Sequence, residues 1–71
     1  MRITVTLDRD DDLHLVPSAV ATLVELPRDC SRRRVTFEGY DDTTVFIDRT
    51  KAGWSVRLRY QPVGNREGRR L

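Results

Sequence analysis

From Gly53 to Gln61 the chain reads GWSVRLRYQ, an alternation that sets Trp54, Val56, Leu58 and Tyr60 on one face of a strand and Ser55, Arg57, Arg59 and Gln61 on the other. The same period of two recurs at the start, where Ile3, Val5 and Leu7 alternate with Thr4, Thr6 and Asp8 until the acidic turn DRDDD. Leu13 and Leu15 flank His14 ahead of Pro17, a pattern that fits a short strand returning on the first as a hairpin. Arg34 to Tyr40 predicts another strand, with Val35 and Phe37 on one face, and turn residues follow at Gly39, Tyr40, Asp41 and Asp42. Thr43 to Arg49 returns with Val45 and Ile47 facing one way and Thr44, Phe46 and Asp48 the other. Thr50 to Gly53 turns into the last strand, and connections this short make the three strands an antiparallel meander.

Residues 17–27 carry two periods at once. Val20, Leu23, Val24 and Pro27 recur at helical spacing, while Val20, Thr22, Val24 and Leu26 fit a strand. Ser18 as an N-cap, Ala19 and Ala21 as helix formers and Pro27 as a stop favour a short helix, and both periods bury Val20 and Val24. The predicted fold is therefore α+β: a small antiparallel sheet of four or five strands with one short helix packed on one face. Residues 18–26 in the strand conformation give the alternative, a small all-β barrel. The expected core comprises Ile3, Val5, Leu7, Val20, Leu23, Val24, Val35, Phe37, Val45, Ile47, Trp54, Val56 and Leu58.

Size and composition restrict function. Seventy-one residues make one domain, read as a globular body over 1–61 and a basic, flexible tail over 62–71. A chain of this length buries only about 60% of its unfolded surface, so its stability margin is thin. Cys30 is the only cysteine, which excludes an intrachain disulfide, and small scaffolds without staples often gain stability by forming homo-oligomers instead. No apolar run approaches the roughly 20 residues of a membrane span, and the acidic N-terminal segment is unlike a signal peptide, so a cytoplasmic location is expected. Residues 1–61 hold ten basic and ten acidic side chains, whereas the tail adds Arg66, Arg69 and Arg70 against Glu67. The body is neutral, but its charges are segregated: acid at Asp10, Asp11 and Asp12, base at Arg32, Arg33 and Arg34.

Motifs for chemistry are incomplete. Asp8, Asp10 and Asp12 have the D-x-D-x-D spacing that opens a calcium loop, yet Leu13 stands where the sharp turn needs glycine and Ala19 where the bidentate acid belongs. Cys30 and His14 lack any local signature of an activated nucleophile, and the four glycines are scattered rather than gathered in a phosphate loop. No cofactor and no catalysis are expected. The face opposite the core is more informative, because Phe46 lies there among Arg34, Arg57, Arg59, Glu38, Asp48 and several threonines. Glu38 and Asp48 are expected to pair with Arg57 and Arg59 across strands.

These features predict a noncatalytic protein-binding module, an adaptor or inhibitor, with Arg57, Arg59, Phe46, Arg32 to Arg34 and Asp10 to Asp12 as partner-binding residues. A phage or mobile-element accessory protein that blocks a larger host complex fits this description. The alternative is single-stranded nucleic-acid binding, with Phe46 stacking a base and the arginines holding phosphate.

Overall fold

A computed structural model describes residues 2–62. Four strands, β1 (Arg2–Leu7), β2 (Arg32–Thr36), β3 (Thr43–Arg49) and β4 (Gly53–Tyr60), form one sheet in the order β1-β4-β3-β2. The meander from β2 to β4 is antiparallel, with Val35 opposite Val45, Ile47 opposite Val56 and Phe46 opposite Arg57. The sheet is open, so the fold is α+β and not a barrel.

β1 does not form a hairpin with residues 13–15. It pairs with β4, and the two run parallel, Ile3 beside Trp54, Val5 beside Val56 and Leu7 beside Leu58, which makes the sheet mixed. Residues Asp10–Leu15 form a 3-10 segment that continues into α1 (Val16–Ala21) and a second 3-10 turn, Thr22–Glu25. Alternation around His14 had a competing meaning. Leu15 lies one helical turn before Ala19, both are buried, and Leu23 extends the same line, so a helical stripe outweighs a two-residue strand pattern.

Pro17 fits because it occupies the first turn of α1, where its missing N–H leaves no bond unmade; Ser18 is inside the helix and caps nothing. Thr22 returns its hydroxyl to the Ala19 carbonyl at 2.6 Å, and Leu26 is extended (φ −76°, ψ 140°), as the residue before a proline prefers. The stripe runs through Leu15, Ala19, Leu23 and Leu26, with Val16 alongside, rather than through Val20 and Val24. Val20 is consequently half-buried and Val24 is 87% exposed.

The core lies between this helical layer and the middle of the sheet: Leu15, Ala19, Val45, Ile47, Trp54, Val56 and Leu58 are buried, and Leu7, Val35 and Phe37 pack at its border. Ile3 and Val5 face the same side but remain 39% and 37% exposed, because the helical layer does not reach the outer edge of β1. Phe37 and Glu38 lie beyond the end of β2, which stops at Thr36. Among the described residues no helix is long and apolar enough to cross a membrane.

Gly53 is where β1 docks. It is paired with Arg2, and a Cβ there would overlap the Arg2 carbonyl oxygen and stand 2.7 Å from the Arg2 nitrogen. We expect Gly53→Ala to destabilise the domain by about 1–3 kcal/mol through this backbone collision. Val24→Ser, at an exposed position, should stay within about 0.5 kcal/mol of the parent in the same urea titration. Equal midpoints for Gly53→Ala and the parent would remove the assigned role of this contact.

Candidate functional site

The uncovered face of the sheet is ordered by strand register. One row across it reads Thr6, Arg57, Phe46, Arg34, and the next reads Thr4, Ser55, Asp48, Arg32. A shallow hollow of about 280 Å³ spans these rows and the next, where Arg59 is opposite Thr44, and is lined by Phe46, Asp48, Ser55, Arg57 and Arg59. Phe46 is half-buried, and the Arg34 guanidinium carbon stands 5.3 Å from the centre of its ring, within cation–π range.

The ion pairs differ from the expected ones. Asp48 accepts from Arg32 Nε at 2.8 Å, and Arg57 donates from Nη2 and Nε to one oxygen of Asp8 at 3.0 and 3.3 Å. The reason is the parallel docking of β1, which brings the Asp8 carboxylate within reach of Arg57, whose direct neighbour on β3 is the uncharged Phe46. The second Asp8 oxygen accepts the Tyr60 backbone N–H at 3.2 Å. The Arg57 hydrogen bond, and then the Tyr60 N–H, hold the Asp8 carboxyl below its ordinary value. Glu38 lies outside the strand pairing, and among the described residues Arg59 has no ion pair.

The run Arg32 to Arg34 is divided by the period of the strand. Arg32 and Arg34 belong to the hollow's face, while Arg33 is level with Ile47 and on the side of the helical layer. The acidic turn is divided too. Asp10 and Asp11 are exposed, but Asp12 is 1% exposed, so its expected place on a partner-binding surface is corrected to an internal one. Its carboxylate receives Arg9 Nε and Nη2, both at 3.2 Å, and the hydroxyl of Thr43, itself buried, at 3.2 Å. Asp12 in turn raises the Arg9 pKa, and the Arg9 guanidinium lies 3.7 Å from the centre of the Tyr60 ring. This cluster locks the first 3-10 segment onto β3 and β4.

His14 packs on the Tyr40 ring at 5.4 Å between centroids, and the Cys30 thiol donates to the Arg32 carbonyl at 3.3 Å; no hydrogen bond joins the two among the described residues. Among the described residues no three histidine, cysteine, aspartate or glutamate side chains converge in a way that could hold a metal ion. The tail arginines Arg66, Arg69 and Arg70 lie outside the described residues.

Arg9, Thr43 and Arg49 carried no recognisable signal in the sequence. Arg49 donates to the carbonyls of Cys30 and Arg28 at 3.2 and 3.1 Å while its guanidinium covers the Trp54 ring at 4.3 Å, so it ties the loop before β2 to the core. Its position at the end of a strand beside a turn did not by itself reveal this role. Compared with known proteins, the chain matches no family model, no curated protein and no solved structure. The class defined by the fold is thus a small α+β module with one covered and one open sheet face.

Two predictions test these assignments. Asp12→Ala should cost about 1–3 kcal/mol, because the Thr43 hydroxyl is left buried without its acceptor, whereas Asp10→Ala and Asp11→Ala should each change stability by less than about 0.5 kcal/mol in urea titrations. Asp8 binds its proton less tightly folded than unfolded, so its contribution is present above about pH 4 and is lost as the pH falls through its depressed folded value. Thermal melts of Asp8→Asn should therefore lie below the parent at neutral pH and converge on it in acid. Parallel curves across the whole pH range would rule out this linkage.

Proposed function

We propose that the protein is a noncatalytic binding module whose open sheet face receives an acidic segment of a partner protein, so that it acts as an adaptor or an inhibitor by surface complementarity. The observation that carries this reading is the hollow around Phe46, with Arg34 against its ring, Arg57 beside it and Arg59 without an ion pair among the described residues. A half-buried aromatic centre with arginines around it has the composition of a protein-binding hot spot. An approaching carboxylate would meet Arg59, which makes no ion pair among the described residues, and an apolar side chain next to that carboxylate would reach Phe46. Asp48 and Asp8 interrupt the arginines on this surface, and such a mixed-sign pattern suits one partner whose charges are set in register with it better than a continuous run of phosphates. The inhibitor of a larger host machine, of the kind phages encode, is the setting in which a module with one such surface would act.

Affinity capture from a lysate of the encoding cell, with and without nuclease, tests the proposal. A discrete protein should survive nuclease, and Phe46→Ala or Arg59→Glu should weaken its capture by about thirtyfold, the equivalent of roughly 2 kcal/mol, with an unchanged circular dichroism spectrum. Loss of all partners on nuclease treatment would instead support the nucleic-acid reading. In that case, with about four phosphates neutralised, oligonucleotide affinity should fall on the order of a hundredfold between roughly 50 and 200 mM salt. Undiminished capture by both variants would reject the open face as the binding surface.

A further inference from the structure

The two edges of the sheet are built differently. β2 presents Arg32, Arg33 and Arg34 in succession, a run of like charge that repels a second edge of the same kind. β1 has no such guard: between Arg2 and Asp8 it offers only Ile3, Thr4, Val5, Thr6 and Leu7, with neither proline nor lysine. Its inner hydrogen bonds follow from the Arg2 N–H reaching the Ala52 carbonyl at 2.9 Å and the Asp8 N–H reaching the Leu58 carbonyl at 3.1 Å. In a parallel ladder this phase turns the even-numbered backbone groups toward β4, leaving the N–H and C=O of Ile3, Val5 and Leu7 directed outward.

We infer that β1 is a homodimerisation edge, pairing antiparallel with β1 of a second copy about a two-fold axis at Val5. In this register Val5 faces the second copy's Val5, Ile3 faces its Leu7, Thr4 its Thr6 and Arg2 its Asp8. Three independent features agree on it. The outward backbone groups meet outward backbone groups, so each of the pairs at Ile3, Val5 and Leu7 exchanges two hydrogen bonds, as an antiparallel ladder requires. The half-exposed Ile3 and Val5 gain apolar neighbours across the seam on the helical side, where the helical layer leaves them uncovered. Opposite charges, Arg2 and Asp8, close both ends on the open side. Asp8 retains acceptor capacity for this, because one of its oxygens takes two N–H groups from Arg57 and the other only the Tyr60 N–H.

The axis stands perpendicular to the sheet, so the dimer is one eight-stranded sheet with both helical layers on one side and both Phe46 hollows on the other. The dimer does not depend on what the hollows bind. Two hollows on one side would, however, let a partner with repeated acidic segments bind with avidity.

Sedimentation equilibrium of the full chain tests the pairing. Twice the mass of one chain is expected at micromolar concentrations, and a monomer at all concentrations up to millimolar would overturn the proposal. Val5→Lys and Val5→Glu should each be folded and monomeric alone and should combine one to one on mixing, because the axis sets these two positions face to face. Mixing without association would overturn this register. Hydrogen exchange on the unaltered protein gives a readout independent of any variant. The amides of Ile3, Val5 and Leu7 should be protected, increasingly so with concentration, and rapid exchange at all three would count against the dimer.

Discussion

Parallel docking of β1 on β4 is the constraint on which the rest of this structure depends. β1 and β2 run in the same direction at opposite edges of the sheet, so the chain between them must cross a full face to join them. That crossing is the helical layer of residues 10–25. One face is thereby covered and supplies the core, and the other, among the described residues, is left open across all four strands. The docking itself needs Gly53, whose missing side chain lets the Arg2 backbone approach β4.

Two charged clusters secure the ends of this arrangement and have different physical characters. On the covered side Asp12 is withdrawn from water with Arg9 and Thr43 as its partners, and removing one partner leaves a buried polar group unsatisfied. On the open side Asp8, Arg57, Asp48 and Arg32 remain in contact with solvent, where ion pairs contribute little to stability and more to the shape and sign of the surface. Asp12 holds the fold from within, and Arg49, although exposed, does so through its bonds to the Cys30 and Arg28 carbonyls, whereas Phe46, Arg34 and Arg59 lie on the open face.

Periodicity made much of this legible. The alternation in β3 and β4 identified Val45, Ile47, Trp54, Val56 and Leu58 as core, and it set Phe46, Arg57 and Arg59 together on the opposite face, because side-chain direction in a strand is a local property. It was less informative where two periods overlap. Leu13 and Leu15 satisfy a strand pattern, and only the approach of Ala19 to the sheet selects the helical one. Val20 and Val24 failed as core residues for a related reason: the rotation of a six-residue helix about its axis is set by what it packs on, and a shift of one position moves the buried stripe.

The sequence by itself determined β3 and β4 with their two faces and the approximate place of β2, since side-chain direction depends on residues within a few positions of one another; it favoured a short helix and the α+β class but left residues 18–26 open to a strand. It also determined that acid and base are segregated along the chain. Only the tertiary structure decided that β1 lies parallel to β4, that Asp8 takes Arg57 as its partner, that Asp12 turns inward and that Ile3 and Val5 stay half-exposed at an edge. These outcomes join residues up to 52 positions apart, as between Asp8 and Tyr60. Local pattern carries no information about such pairings, which are settled by which backbone can approach which.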